Sequence, residues 1–295
     1  MLAFITTLRH PQNSVSYGRV EELLEGTLRS VAQQSSDDYV IIVVGNKRPD
    51  FTLPARTHFV QVDFPPPAPA TGAQTAREPF VWDKGTKLGI GLLKAREFSP
   101  THVMSFDADD FVHRNLAATI HDHPDHDGWV VREGLMYSKA RNSYIAQHQF
   151  NRACGTSFII PFDAYAVPVD LDVSASQEQV ASGFGERLSA IMGAHRNAEA
   201  WFRDHGRTLQ PFPYRAAVYH VDTGENHSGK SLAAGLARPL SSAVQRDFGI
   251  QPSSGRAATV WAAVGPRAVW EEIAQRSRPI TRRVAALTTR SSRSS

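Results

Sequence analysis

The run Tyr39-Val40-Ile41-Ile42-Val43-Val44 constrains the fold more than any other stretch. An unbroken apolar run leaves no face for water, so it reads as a strand covered on both sides, the pattern of a parallel sheet in an α/β protein. Parallel strands need a crossover between them, and the sequence supplies one. Upstream, Leu2-Ala3-Phe4-Ile5-Thr6-Thr7-Leu8 is a second apolar run that stops at Arg9-His10-Pro11, a strand-to-loop transition. Between the two, Val20, Leu23, Leu24, Leu28 and Val31 recur at helical spacing over residues 19–34. Strand, helix, strand in that order predicts a right-handed parallel unit.

The alternation continues. Residues 57–62 read as a third, shorter strand, and Pro65-Pro66-Pro67-Ala68-Pro69-Ala70-Thr71-Gly72 can form neither helix nor inner strand. A helical segment at residues 82–96 then carries Lys84 and Lys87 around Gly85. Basic groups and free N–H groups near a helix start suit an anion such as a diphosphate, although lysines are also ordinary surface residues. Next comes Thr101-His102-Val103-Met104-Ser105-Phe106-Asp107-Ala108-Asp109-Asp110-Phe111, a short strand ending in three carboxylates within four positions. Like charges so crowded require a cation or a raised pKa. Oxygen ligands of this kind suit magnesium or manganese, whose open positions take phosphate oxygens. The competing reading is a solvated turn in which Asp109 or Asp110 caps a helix starting near Phe111.

Composition narrows the class. With 295 residues and 41% hydrophobic content the chain can bury a substantial core in one large domain or two small ones. Its 32 basic and 29 acidic residues nearly balance at +3, so charge demands no nucleic-acid partner. Arg276, Arg278, Arg282, Arg283, Arg290 and Arg293 make the end basic, which predicts a disordered tail at residues 281–295 able to touch anionic lipid. The single Cys154 excludes an intramolecular disulfide and a cysteine-pair zinc site, as expected in a reducing compartment. No run of about 18 apolar residues occurs, and the first apolar run is too short for a signal segment. The expected location is therefore cytoplasmic, with no transmembrane segment and at most a peripheral contact at the inner face of the membrane.

The succession of strand, helix, strand, short strand, glycine-bearing helix and acidic strand resembles the nucleotide-sugar-binding half of GT-A fold glycosyltransferases, particularly the group similar to family 2. The local match is densest over residues 85–110. The resemblance implies a Rossmann-like half in which the first two strand ends contact the nucleoside, while Asp-x-Asp coordinates a metal bridging the diphosphate. Carried over by position, Thr7 and Arg9 fall at the first loop. Asn46 falls at the second, where the family frequently has aspartate, and its amide can still hydrogen-bond a uracil edge. Lys84 and Lys87 would face the diphosphate, and Asp107, Ala108 and Asp109 would form the motif. Asp109 is the expected direct ligand of Mn2+ or Mg2+, a UDP-sugar the expected donor, and Asp110 a cap or supporting partner.

Further along, His121-Asp122-His123-Pro124-Asp125-His126-Asp127-Gly128 reads as a polar loop, because proline and Asp-Gly signal turns. Residues 129–137 read as one strand. By the resemblance, the small-residue turn Cys154-Gly155-Thr156-Ser157 lies beside the reaction centre, where Gly155 lets a sugar approach the backbone. Cys154 has no activating partner in the sequence and reads as a buried thiol. Residues 173–202 look helical. Inverting members of the family place a Glu-Asp pair in this region, one carboxylate deprotonating the acceptor. No such pair occurs here, so Glu186 and His195 are the candidate bases. An apolar strand within residues 214–222 then runs into Gly224-Glu225-Asn226-His227-Ser228-Gly229-Lys230. Similar endings in the family supply a histidine to the metal, here His220 or His227, with Ser228 and Lys230 on the leaving diphosphate.

The expected fold is thus α/β of GT-A type over residues 1–235, a nucleotide-sugar-binding half (1–112) and an acceptor half (113–235) sharing one mixed central sheet. A short helical C-terminal extension is expected over residues 236–280. The expected activity is metal-dependent, inverting transfer of a sugar to a hydroxyl on a glycan or lipid-linked acceptor, a bacterial glycan in the first instance. Two alternatives stand beside it. Phe106-Asp107-Ala108-Asp109 is also similar to the nucleophile strand of haloacid-dehalogenase-like phosphatases, although Phe111 and the motif's place deep in the chain depart from that pattern. The missing Glu-Asp pair keeps open a non-catalytic nucleotide- or glycan-binding module of the same fold.

Overall fold

The computed structural model describes residues 1–68, 76–226, 229–232 and 237–253. The first half runs β1 (Leu2–Thr7), α1 (Tyr17–Val31), β2 (Tyr39–Gly45), β3 (Thr57–Gln61), α2 (Arg77–Ala95) and β4 (His102–Phe106). These strands are all parallel, β1 lying between β2 and β4 with β3 outside β2. The unbroken apolar run of β2 is buried at every position, as a strand sandwiched between helices must be. Alternation sorts the side chains of β1. Leu2 and Phe4 pack with Leu24, Leu28 and Val31 of α1, whereas Ala3 and Ile5 pack with Ile90, Leu92 and Leu93 of α2. Gly91 lets α2 lie directly on β1: a Cβ there would meet Ile5 Cγ2 at 2.4 Å.

The second half adds β5 (Phe111–Val112), α3 (Leu116–Asp122), β6 (Trp129–Val130), β7 (Glu133–Ser138), β8 (Ser143–His148) and α4 (Phe150–Ala153). It continues through β9 (Phe158–Pro161), α5 (Gln177–Phe184), α6 (Ala198–Asp204), β10 (Gln210–Pro211), β11 (Ala217–Val221), β12 (Arg238–Pro239) and α7 (Ser242–Phe248). β9 runs antiparallel to β4 and carries β6 and β10, so the first sheet becomes mixed and seven-stranded. A second, five-stranded sheet is ordered β12-β8-β7-β11-β5. The architecture is the expected mixed α/β fold with a Rossmann-like parallel half, with two sheets in place of one. No helix among the described residues is long and apolar enough to cross a membrane.

Four local expectations change. The helix expected at residues 82–96 begins at Arg77, so Lys84 and Lys87 sit well inside α2 and not at its start. Residues 129–137 split into β6 and β7 because the chain passes from one sheet to the other at Val131 and Arg132. The helical stretch at 173–202 breaks at Gly185, whose φ of 56° no bulkier residue adopts easily, and resumes as a π-turn at Leu188–Met192 before α6. No helix follows Asp110; β5 does. Beyond residue 236, β12 pairs with β8, and Leu240, Phe248 and Ile250 pack against Phe111, Leu135 and Val218 of the second sheet. Helices expected within residues 257–274 and the tail at 281–295 lie outside the described residues.

Candidate functional site

The carboxyl ends of β1 and β4 frame the site. With β2 on one side of β1 and β4 on the other, the connections leave in opposite directions and open a crevice between them. It holds a cavity of about 270 Å³, lined from the first half by Thr7, Arg9, Lys84, Asp107, Ala108 and Asp109. From the second half His195, Tyr219, Glu225 and Asn226 close it.

The three aspartates are held differently. Lys84 Nζ, reaching over from α2, donates to Asp107 Oδ1, and the Asp107 N–H donates to Thr156 Oγ1 at 2.9 Å. Burial pushes the Asp107 carboxyl up, but Lys84 more than offsets this and holds it below its ordinary value. Gly155 leaves the room: a Cβ there would stand 3.2 Å from Asp107 Oδ2 and 3.4 Å from Lys84 Nζ. Asp109 Oδ2 accepts from Asn226 Nδ2 at 2.8 Å and from Thr223 Oγ1 at 3.4 Å. Burial, and after it the charge of Asp107, pushes the Asp109 carboxyl up to about 7. Asp110 is wholly buried. Its Oδ1 accepts the His220 N–H at 3.0 Å, and its Oδ2 accepts the Cys154 thiol at 2.9 Å and the Thr156 hydroxyl. It caps no helix; it ties the acidic strand end to β11 and to the 154–156 turn.

Asp107, Asp110 and Cys154 bring one ligand atom each within 4.8 Å of one another. Burial raises the Cys154 thiol well above its ordinary pKa, and the thiol donates to Asp110 at 2.9 Å. Three aspartates line the cavity: Asp83, which Lys87 holds, and Asp107 and Asp109 from the acidic strand end. As hard oxygen donors whose repulsion raises the pKa of one of them, the latter two fit a magnesium or manganese ion.

At the end of β1, Arg9 Nη2 donates to the Glu225 carbonyl at 2.8 Å and Arg9 Nη1 lies 3.6 Å from Glu225 Oε2. Glu225 Oε1 accepts the Ser16 N–H at 2.8 Å, joining the turn after β11 to the start of α1. Lys87 does not reach the cavity. Its ammonium is buried, donating to the Leu8 carbonyl at 3.0 Å and to Asp83 Oδ2 at 2.8 Å, and it braces α2 against β1.

Other expected site residues separate from the crevice. Asn46 Nδ2 donates to the Val62 and Phe64 carbonyls at 3.3 and 2.8 Å, pinning the chain after β3. Glu186 is exposed, 3.5 Å from His205 Nε2. His220 turns away because its neighbour Tyr219 takes the cavity side of β11. The His220 ring lies 5.4 Å from those of Phe111 and Tyr137, its Nδ1 3.2 Å from the Asp109 carbonyl, and burial lowers its pKa to about 4. His227 and Ser228 lie outside the described residues. His195 does line the cavity, and burial, then Lys84, lowers its pKa to about 4. Its buried Nε2 has no hydrogen-bond partner among the described residues.

Asn226, Glu225 and Thr223 hold the site without having been expected there. The turn that contains them stood out for His227 and Ser228, yet the Asn226 amide, a donor that suits a carboxylate, is the group on Asp109. Thr156 was expected only as a small residue, and its hydroxyl proves to be the link between Asp107 and Asp110.

No family model and no curated protein matches the chain. Among solved structures it is similar to S. aureus TarS, at 13% identity over 75% of this chain and 36% of that one, with a TM-score of 0.37. S. aureus TarS 1–349 in complex with UDP-GlcNAc aligns at 12% identity over 79% of this chain and 62% of that one, TM-score 0.40. TarS 1–349 in complex with UDP aligns at 13% identity over 75% and 60%, TM-score 0.39. The alignments span less than two thirds of each TarS chain.

Proposed function

We propose that the chain is a nucleotide-sugar-dependent glycosyltransferase that moves a sugar from a UDP-sugar to a hydroxyl with inversion. The observation that carries this reading is the convergence of Asp107, Asp109 and Lys84 at the crevice between β1 and β4, where an open α/β sheet binds its ligand. Arg9 and Thr7 line the same cavity and in this reading would face the nucleoside. Asp107 and Asp109 would hold a manganese or magnesium ion, whose chemistry there is to draw charge from the diphosphate. Lys84, already beside Asp107, adds a second positive group to the departing diphosphate.

His195 is the base of this reading. Its lowered pKa keeps the imidazole neutral near pH 7, with a lone pair for the acceptor proton. The acceptor oxygen attacks the anomeric carbon, the bond from that carbon to the diphosphate oxygen breaks, and the acceptor proton passes to His195. The experiment is incubation with a panel of UDP-sugars and manganese, following UDP release with and without chelator. Release that chelator abolishes supports the reading. UDP binding without release under any acceptor condition favours the non-catalytic module, which the missing Glu-Asp pair keeps in view. Hydrolysis of a generic phosphate ester with no UDP release would favour the phosphatase.

A further inference from the structure

The turn after β11 is built around one amide. Positive φ angles at Asp222 (61°) and Gly224 (82°) fold residues 222–226 back on themselves, which brings Asn226 to the acidic strand end. Asn226 Nδ2 donates to Asp109 Oδ2 at 2.8 Å and to the His220 carbonyl at 2.9 Å. Asn226 Oδ1 accepts the Thr223 N–H at 3.0 Å and the Thr223 hydroxyl at 2.6 Å. Only one orientation of the amide satisfies this set, since a flipped one sets its oxygen against a carboxylate and a carbonyl and its NH2 against an N–H. The turn is tied from its other side as well. The Glu225 carbonyl accepts from Arg9 and its carboxylate accepts the Ser16 N–H, so the amide's place is fixed independently of Asp109.

The consequence falls on Asp109. Its side-chain donors among the described residues, Asn226 Nδ2 and, at 3.4 Å, the Thr223 hydroxyl, both lie on Oδ2. Oδ1 takes neither of them and is the oxygen left for the cavity that Asp109 lines. A carboxylate with one oxygen engaged offers a metal a single ligand atom. Magnesium and manganese suit octahedral shells that one oxygen from each carboxylate can fill, whereas calcium is larger, takes up to eight oxygens and gains from carboxylates that turn both oxygens to it.

We infer that Asn226 is a positioning residue that holds Asp109 to one-oxygen ligation and so sets the site's preference for manganese or magnesium over calcium. The inference rests on the glycosyltransferase reading, which places a divalent ion at Asp107 and Asp109, and it adds how that site chooses its ion. Thr223 acts one step further out, because its N–H and hydroxyl fix the orientation of the amide.

The test titrates the full chain with Mn2+ and, separately, with Ca2+ by calorimetry, without nucleotide. It is run at about pH 8, above the raised Asp109 pKa of about 7. Wild-type protein is expected to bind Mn2+ at least about tenfold more tightly than Ca2+. Asn226→Ala is expected to lose about tenfold or more in Mn2+ affinity and to keep or gain Ca2+ affinity, so that the ratio of the two falls at least about tenfold. Thr223→Val keeps the amide and the backbone groups and is expected to fall between, and it carries the comparison alone if Asn226→Ala does not fold. General damage to the turn weakens both ions alike, so a ratio within about threefold of wild type in the folded variants overturns the inference. A wild-type protein with no preference for Mn2+ over Ca2+ overturns it too. Wild-type protein that binds neither ion removes the metal from the glycosyltransferase reading together with this inference, whereas Mn2+ binding with an unmoved ratio removes the inference alone.

Discussion

Lys84 donates a hydrogen bond to the Asp107 carboxylate across the mouth of the crevice, so a cation from α2 and an anion from β4 neutralise each other with no ligand present. Replacing Lys84 by Met leaves a half-buried carboxylate without its partner. The expected cost is about 2 kcal/mol, less than for a fully buried pair because both side chains keep some solvent contact. Turnover is expected to fall about a hundredfold or more. Denaturant midpoints read the first effect and UDP release the second. Adding Asp107→Asn to Lys84→Met should restore most of the stability and none of the turnover, and a double variant no more stable than Lys84→Met alone would refute the pairing.

Asp109 separates stability from activity. Its carboxyl is pushed up to about 7, so the folded chain keeps a proton that the unfolded chain has already released. Stability from this group is therefore present at low pH and lost as pH rises through about 7. Asp109→Asn removes that loss. Its stability relative to wild type should increase from about pH 4 to about pH 7 and level off above, while UDP release drops by about a hundredfold or more. Thermal melts across pH together with one rate assay check both statements.

Thr156 positions the two aspartates on either side of Asp109. Its hydroxyl accepts the Asp107 N–H at 2.9 Å and donates to Asp110. Thr156→Val leaves the Asp107 N–H without its acceptor and takes one of two donors from Asp110 Oδ2, which keeps the Cys154 thiol, at a cost of about 1–3 kcal/mol in all. Thr156→Ser keeps the hydroxyl and should recover most of the loss. Equal destabilisation by Val and Ser would show that the methyl group's packing, and not the hydrogen bonds, holds the turn.

His220 supplies the acid side of the pH profile. Burial lowers its pKa from 6.5 to about 4, so in that interval the unfolded chain binds a proton that the folded chain refuses. Wild-type stability from this group is complete above 6.5 and lost as pH falls toward 4, by about 1.4 kcal/mol per pH unit. His220→Gln cannot titrate, so the wild-type advantage over it should shrink on acidification with that slope. A constant difference from neutral pH to about 4.5 would mean that His220 is protonated in the fold.

The two candidate bases give opposite outcomes. Glu186 is exposed beside His205, and Glu186→Gln is expected to change UDP release by less than about twofold. His195→Gln is expected to lower it by about a hundredfold without moving the thermal midpoint greatly. The reverse pattern would move the acceptor to the surface around α5.

Much of the first half was legible before the structure. The apolar runs of β1 and β2 and the spacing of α1 need only local periodicity, and each element begins and ends within a few residues of its expected limits. The second half was not, because its strands exchange sheets and its helices stop at single residues. A split such as β6 and β7 leaves no mark in an apolar stretch, since both pieces are buried whichever sheet they join. The lysines misled for a similar reason. Lys84 and Lys87 share a helix and a charge, and only their rotation about α2 sends one to Asp107 and the other to Asp83 beneath β1.

By itself the sequence determined a parallel α/β half and an acidic cluster at the end of its fourth strand, because burial on two faces and charge crowding are properties of neighbouring residues. Only the tertiary structure decided what each acid does. It gave Asp107 to Lys84, Asp109 to Asn226 and the cavity, and Asp110 to Thr156 and the backbone of β11. Those partners lie 23 to 117 positions away along the chain. A hydrogen bond over such a span exists only when the sheets close, since its geometry is set by packing and not by sequence distance.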